Sequence, residues 1–365
     1  VTLIFSMAGC GQAPGSSSTG SAAPSAGTGT DNKPIRITYI TSGQRGDNGA
    51  ADSSWPMIEK LNTEYPGKVE AQMLEMAQDT SKFESAILET LDAGCDILVC
   101  GSGYSMADTA NKYAADYPDT TFYFIDLSLS YKFASPKNTV GMAYKQNEGM
   151  FLTGALAASL SKTGKIGFIG GMENAIINDF GTGYIAGATY VNPDIKIQFS
   201  YVGNFNDSAK GKELAGIQAN LGADVIHNVA GTAGLGVLEG AYQAGVIPIG
   251  VDNDQSAGFK ETNPKLADAI ATSMVKNWGQ VIYNFAVRYM EEPDSIKYGE
   301  IERLGLESGA VALAKNDVYK SLVPADIQQT IEKLEKGIIA GEIKVPSAFD
   351  RTDDEWKQLK ESVAF

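Results

Sequence analysis

The feature that most constrains the fold is an alternation of short, β-rich apolar runs with stretches of helical spacing, beginning at Ile35. The runs are 35–41, 69–74, 96–101, 121–126, 139–144, 165–171, 195–202, 223–231 and 246–252. Strands that alternate with helices of about 10–15 residues favour parallel sheets with helices on both faces. The chain is therefore predicted to be α/β.

These strands are too many for one comfortable sheet, so they are predicted to form two lobes, each a mostly parallel sheet flanked by helices. Candidate hinges lie at 142–148 and 251–257. The pair of apolar runs within 301–314 is expected to join the C-terminal lobe. The predicted boundaries are 34–143 plus 255–298 for the N-terminal lobe, 144–254 plus 299–350 for the C-terminal lobe, and 351–365 for a C-terminal helix.

The beginning of the chain has a different composition, because residues 1–30 contain no Asp, Glu, Lys or Arg. Residues 1–9 are apolar and are predicted to be the remnant of a signal peptide. Small residues precede Cys10, as in the bacterial lipobox, so Cys10 is predicted to carry a lipid. Residues 10–33 are rich in Gly, Ser and Ala and are predicted to be a disordered linker. The alternative is an ordinary signal peptide with an incidental cysteine.

Composition excludes several classes of function. The 29 basic and 44 acidic residues give a formal charge of −15, which argues against nucleic-acid binding. One histidine and three cysteines are too few for most His/Cys zinc sites. His227 lies in an apolar strand and is expected to be a core residue, and Cys95 and Cys100 are expected to be buried thiols. No metal or other cofactor is expected.

Two charged residues are candidates for a binding site at the carboxyl ends of the strands, where open α/β sheets hold their ligands. Asp252 ends the run 246–252, and its two oxygens could accept both hydroxyls of a vicinal diol. The alternative is a cap for the next helix. Lys276 could supply a complementary cation, or it could be a solvated helical lysine.

Several blocks, in order, carry a family resemblance. They are CDILVCGSGYSMADTANKYAADYPDTTFYFID, EGMFLTGALAASLSKTGKIGFIGGMENAIINDFGTGYIAGA, GADVIHNVAGTAGLG, IGVDNDQS and SMVK. The chain resembles the basic membrane protein family of ABC-transporter substrate-binding lipoproteins, the group similar to purine nucleoside receptor A. The resemblance implies a two-lobed type I periplasmic-binding fold that closes on a nucleoside.

The resemblance also implies roles for single residues. Phe180 matches an aromatic that stacks on the purine, and Gly231 matches a glycine that lets the ribose approach the backbone. Asp252 and Lys276 match positions that grip the ribose hydroxyls. Acidic positions at or near the mouth of the cleft are matched by Asp108 and Asp126.

The first loop departs from the family pattern. Residues 46–57 read GDNGAADSSWPM, in which Asp47 and Trp55 keep the frame. The family's aromatic and Asn are replaced by Ala50 and Ala51, which removes one stacking wall and one hydrogen-bonding group. Asn48 or Tyr104 could take over these contacts, so the predicted ligand-binding set includes Asp47, Asn48, Trp55 and Tyr104.

The expected function is that of a monomeric solute-binding lipoprotein of an ABC importer, anchored to the extracytoplasmic face of the cell membrane through Cys10. It would bind a nucleoside, most readily a purine nucleoside, and deliver it to permease and ATPase subunits without catalysis. The alternative is a surface sensor, or a binding protein for another ribose-bearing or small polar ligand, that feeds no transporter. A nucleoside-cleaving enzyme would need an Asp cluster or an acid/base pair, and the sequence shows neither convincingly.

Overall fold

A computed structural model of the chain describes residues 33–46, 49–101 and 104–365, and for Tyr104 it describes only the backbone. The predictions for the signal peptide, for Cys10 and for the linker up to residue 32 lie outside the described residues. So do those for Asp47 and Asn48.

The N-terminal lobe is built on a sheet of parallel strands, which form where β-branched and aromatic residues are concentrated. The spatial order of the strands is β11-β5-β4-β3-β1-β2. The strands are β1 (Ile35–Thr41), β2 (Val69–Glu75), β3 (Ile97–Gly101), β4 (Thr121–Ile125), β5 (Thr139–Tyr144) and β11 (Ile301–Leu304). Both β3 and β4 are buried along their whole length, as expected of strands covered on both faces.

The C-terminal lobe repeats this arrangement in the order β12-β10-β9-β8-β6-β7, with β12 antiparallel to β10. The strands are β6 (Lys165–Gly170), β7 (Lys196–Tyr201), β8 (Val225–Val229), β9 (Ile247–Asp252), β10 (Ser273–Lys276) and β12 (Val311–Leu313). The prediction of a two-lobed fold with mostly parallel sheets is confirmed.

Helices cover both sheets. They are α1 (Ala50–Glu64), α2 (Phe83–Asp92), α3 (Tyr104–Asn111), α4 (Gln146–Leu160), α5 (Ala175–Val191), α6 (Ser208–Asn220), α7 (Ala233–Gln243), α8 (Gln255–Phe259), α9 (Pro264–Ala267), α10 (Trp278–Glu291), α11 (Asp317–Leu322), α12 (Ala325–Ile339) and α13 (Asp353–Val363). Among the described residues, none of these helices is long and apolar enough to cross a membrane.

The predicted lobe boundaries after residue 254 need correction. Residues 255–298 are predicted to belong to the N-terminal lobe, and α10 does pack there against α1, but β10 pairs with β9 of the C-terminal sheet. The strand pair within 301–314 was assigned to the C-terminal lobe, but β11 pairs with β5 of the N-terminal sheet and only β12 enters the other sheet. Strands of three or four residues carry too little pattern to indicate which sheet receives them.

The chain passes between the lobes after β5, after β10 and between β11 and β12, and side chains tie these crossings together. The Glu148 carboxylate accepts the Leu306 N–H at 3.0 Å, and the Asn277 side-chain amide donates to the Gly309 carbonyl at 2.6 Å. The crossings therefore form one connected hinge region behind the facing ends of the two sheets.

Candidate functional site

A cavity of about 490 Å³ lies between the lobes at the carboxyl ends of the strands. This volume is in the range of small-molecule sites, about 300–1,000 Å³. Segments that follow β1, β2, β3 and β4 line one side, segments that follow β6, β7, β8 and β9 line the other, and the end of β10 with the start of α10 lies between them. The lining residues are Ser42, Gly43, Gly49, Ala50, Gln78, Thr80, Phe83, Ser105, Asp126, Met172, Ile176, Ile177, Phe180, Phe205, Val229, Gly231, Thr232, Val251, Asp252, Gln255, Lys276 and Trp278.

An ion pair joins the two lobes at this cavity. The Lys276 ammonium donates to Asp126 Oδ1 at 2.8 Å, although Asp126 follows β4 of the N-terminal lobe and Lys276 ends β10 of the C-terminal lobe. Only 2% of the Lys276 side chain is exposed. The solvated-helix alternative for Lys276 is therefore wrong, because the residue lies in a strand and its charge is buried against a carboxylate.

Aromatic rings surround the same ammonium group. Lys276 Nζ lies 4.7 Å from the ring centre of Phe180, 4.8 Å from that of Tyr144 and 5.4 Å from that of Trp278. Cation–π attraction of this kind strengthens when the site is desolvated. Burial raises the Tyr144 pKa well above its ordinary value, and Asp126 and Asp252 raise it further. Both carboxylates therefore favour the neutral form of the buried Tyr144 phenol beside Lys276.

Asp252 stands at the end of β9 in a left-handed backbone conformation, with φ at 66°. The buried side chain of Gln255 fixes this turn, because its amide oxygen accepts from the Val251 N–H at 2.9 Å and from the Asn228 amide at 3.1 Å. The alternative role of Asp252 as a helix cap is wrong, since Asp254 caps α8 by accepting from the Ala257 N–H.

Two aromatic residues of the C-terminal lobe line the cavity, and only one was singled out from the sequence. Phe180 is 2% exposed and packs against the Lys276 ammonium. Phe205 is half-buried, follows β7 and lies within 3.6 Å of the position that a Cβ on Gly231 would occupy. Gly231 itself has φ at 55° and lines the cavity as predicted.

Phe205, Trp278 and Gln78 also line the cavity and were not predicted from the sequence. All three lie within four residues of the carboxyl end of a strand, and that position is the signal that could have found them.

Some predicted residues are not brought to the cavity. Trp55 lies five positions after Ala50 on α1, about 140° around the helix, and packs under Arg45 at 4.3 Å instead. Asp108 is exposed on α3 and acts on Tyr131, whose pKa is raised by burial and by this carboxylate. Tyr104 begins α3 beside Ser105, which does line the cavity.

The two alanines of the first loop differ in their surroundings. Ala50 lines the cavity, whereas Ala51 is fully buried and is not among the lining residues. The space left by a smaller side chain at position 50 therefore opens into the cavity, and Ala51 belongs to the packing of α1.

The side chains of His227, Cys95 and Cys100 do not line the cavity. No group of three or more His, Cys, Asp or Glu that could hold a metal ion occurs in 33–46, 49–101 and 104–365. His227 is fully buried, as predicted, and burial lowers its pKa to about 3. Cys95 and Cys100 are buried free thiols, also as predicted.

The sequence matches a known protein family over most of its length. Residues 35–348 match the family model Bmp, described as ABC transporter substrate-binding protein PnrA-like. The chain is 35% identical over 313 residues to basic membrane protein A2 of Borrelia garinii subsp. bavariensis, which covers 85% of this chain and 88% of that one. It is 33% identical over 260 residues to the ABC transporter nucleoside-binding protein BmpA of Lactococcus lactis subsp. cremoris, which covers 68% of this chain and 71% of that one.

Among solved structures, an ABC transporter solute-binding protein from Aeropyrum pernix K1 superposes with a TM-score of 0.71 at 23% identity, covering 91% of this chain and all of that one. This likeness shows the fold. The sequence matches also establish the family, because the family model spans both lobes and the cavity between them. The chain is a member of the Bmp family of PnrA-like ABC transporter substrate-binding proteins.

Proposed function

We propose that this substrate-binding protein takes up a nucleoside, most readily a purine nucleoside, in the cavity between its lobes and delivers it to an ABC permease. The protein would be held at the extracytoplasmic face of the cell membrane by a lipid on Cys10. The observation that carries the proposal is the set of charges at the cavity, where Lys276 is ion-paired with Asp126 and Asp252 lines the same space.

These charges suit a ribose. A vicinal diol has two hydroxyl donors and their oxygens as acceptors, which complement two carboxylates and one ammonium group. Hydrogen bonds to charged groups contribute about 1.5–3 kcal/mol each. Asp126 belongs to the N-terminal lobe and Asp252 to the C-terminal lobe, so one diol could contact both lobes at once and favour the closed arrangement.

The walls suit a flat, uncharged base. Phe205, Ile177 and Val229 give the C-terminal side an apolar surface on which the face of a base can pack. The floor carries two carboxylates and the chain has a formal charge of −15. Because this field repels phosphate, a nucleoside is favoured over a nucleotide. The Lactococcus relative is itself named as nucleoside-binding, in line with this choice.

Calorimetric titration of the purified protein with adenosine, guanosine, inosine, uridine and cytidine tests the proposal. We expect sub-millimolar binding of at least one purine nucleoside, and sub-millimolar binding of none of the five would contradict it. Asp252→Asn keeps the shape of the side chain and tolerates the left-handed backbone. It should weaken nucleoside binding about a hundredfold, because a charged acceptor for the ribose is lost.

Asp268→Asn is the matched control, since Asp268 is an exposed carboxylate of the same lobe that does not line the cavity. Its affinity and its melting temperature should both remain those of the wild type. The melting temperature of ligand-free Asp252→Asn should also stay close to that of the wild type. Unchanged affinity in Asp252→Asn would show that the nucleoside binds away from this carboxylate.

A further inference from the structure

Left-handed backbone at residues other than glycine is concentrated at the cavity. Among the described residues, positive φ values occur at Ala77 (50°), Gln78 (63°), Asp126 (65°) and Asp252 (66°). Gln78, Asp126 and Asp252 all line the cavity, and Ala77 directly precedes one of them. This conformation is uncommon for residues with a Cβ, so its clustering at one place needs a cause.

Strained backbone persists where the surrounding structure fixes it, and such positions concentrate at functional sites. The turn after β2 is fixed in this way by the turn after β1. The Met76 N–H donates to the Thr41 carbonyl at 3.0 Å, and the Gln78 N–H donates to the Ser42 carbonyl at 2.6 Å. These bonds hold Gln78 at the cavity even though a glycine would adopt the same backbone with less strain.

The side-chain amide of Gln78 is available to hydrogen-bond a polar ligand. It is exposed at the cavity and makes no hydrogen bond to any other described residue. An amide presents one acceptor oxygen and an NH₂ donor side by side. The polar edge of a purine carries a donor and an acceptor in the same adjacent arrangement. Ala51, which replaces the family's Asn, is buried away from the cavity and has no side-chain group that could hydrogen-bond this edge.

We infer that Gln78 is a specificity-determining residue that hydrogen-bonds the polar edge of the purine base. This inference rests on the proposed function, since it requires a nucleoside in the cavity. The ribose would be held at the floor by Asp126, Asp252 and Lys276, while Gln78 discriminates between bases from the N-terminal lobe.

The test separates backbone strain from recognition by means of two neighbouring glycine substitutions. Gln78→Gly should weaken the tightest-binding purine nucleoside about fivefold to tenfold, the effect of one lost hydrogen bond. Its melting temperature should stay within about 2 °C of the wild-type value or rise above it, because glycine relieves the left-handed strain. Ala77→Gly relieves the same kind of strain next to the cavity, so it should match that thermal behaviour and keep wild-type affinity.

A charge substitution then tests the hydrogen-bond pattern. Gln78→Glu retains acceptors but has no donor, so it should disfavour adenosine, whose edge offers a ring acceptor, relative to guanosine, whose edge offers two adjacent donors. We expect the guanosine-to-adenosine affinity ratio to rise about tenfold over wild type.

Wild-type affinities and ratios in both Gln78 variants would overturn the role of Gln78 and leave nucleoside binding intact. An equal loss of affinity in Ala77→Gly and Gln78→Gly would also overturn it, since the turn rather than the amide would then matter. Failure of the wild-type protein to bind any of the five nucleosides would instead overturn the proposed function, and this inference with it.

Discussion

The two lobes share one strand plan but present different surfaces to the cavity. Each places its first strand between the second and third, continues outward and receives a late strand at the far edge. The C-terminal lobe lines the cavity mainly with apolar side chains, including Met172, Ile177 and Phe205. The N-terminal lobe contributes mainly polar ones, among them Gln78 and Ser105.

This difference indicates that the two lobes contact different parts of the ligand, although they share one topology. Loops after the strands can vary without disturbing the sheets that hold them. One lobe can therefore offer a surface for the face of a ring while the other offers groups for its edge. The floor is shared, because Asp126 comes from one lobe and Lys276 from the other. The comparison can be tested first at the contact that joins the lobes, and then within each lobe.

The largest effect is expected from Lys276→Met, which removes the charge that bridges the lobes. Asp126 would be left at the cavity with its ion-pair partner gone, and breaking a buried pair costs about 3 kcal/mol of unfolding free energy. Nucleoside binding should fall at least about a hundredfold as well, because an ammonium donor to the ribose is lost. Denaturant unfolding and calorimetric titration measure the two effects.

The matched control is Lys320→Met, which breaks an exposed ion pair with Asp317 inside the C-terminal lobe. That change should cost well under 1 kcal/mol and leave the affinity unchanged. The double variant Asp126→Asn, Lys276→Met should recover part of the lost stability, since it leaves no unpaired carboxylate. An equal loss of unfolding free energy in both single lysine variants would show that the inter-lobe pair stabilises the fold no more than an exposed ion pair does.

Much of the fold could be predicted because the strands are buried on both faces and are read as apolar runs. The run 35–41 coincides with β1 and the run 139–144 with β5. Asp126, Asp252 and Lys276 line the cavity, and each could be singled out from the sequence because it stands at or just after the end of a strand.

Other features depend on contacts between distant segments. The helix α5 begins at Ala175, although three glycines at 181, 183 and 187 weaken the local helical signal in its second half. The structure explains two of them, since a Cβ at Gly183 would lie 2.2 Å from the Asn147 carbonyl oxygen and one at Gly187 would lie 1.8 Å from that of Phe151. Close packing of α4 against α5 thus requires residues that disfavour a helix in isolation.

Acid should affect the lobes unequally, because the chain's one histidine, His227, lies on β8 of the C-terminal lobe. It is buried between the Asn228 carbonyl at 2.9 Å and the Thr153 hydroxyl at 3.1 Å, and burial lowers its pKa from 6.5 to about 3. The unfolded chain therefore takes up a proton below about pH 6.5, whereas the folded protein stays neutral there. This contribution to stability is complete above pH 6.5 and is lost as the pH falls towards 3, by about 2 kcal/mol at pH 5.

Denaturant unfolding at pH 8 and pH 5 measures this loss, and His227→Gln should remove it. Asp179 changes the stability in the opposite direction as the pH falls. Burial raises the pKa of that carboxyl, so acid neutralises a buried charge and stabilises the folded state. The comparison of wild type with His227→Gln cancels this second contribution. Hydrogen exchange at pH 5 should show faster opening in C-terminal-lobe peptides, and equal acceleration in both lobes would contradict the assignment to His227.

The smallest expected effect comes from Ala50→Phe, which would give the N-terminal lobe an aromatic surface like the one opposite. Ala50 begins α1 and lines the cavity, so a larger side chain there can reach the base without entering the core. An aromatic contact contributes about 0.5–1.5 kcal/mol beyond burial, which predicts about fivefold tighter purine binding. Ala325→Phe, at the exposed first position of α12, should leave the affinity unchanged. Weaker binding by Ala50→Phe would show that the ligand already occupies the space beside Ala50. The ligand would then contact the N-terminal lobe at Ala50 as well as at Gln78.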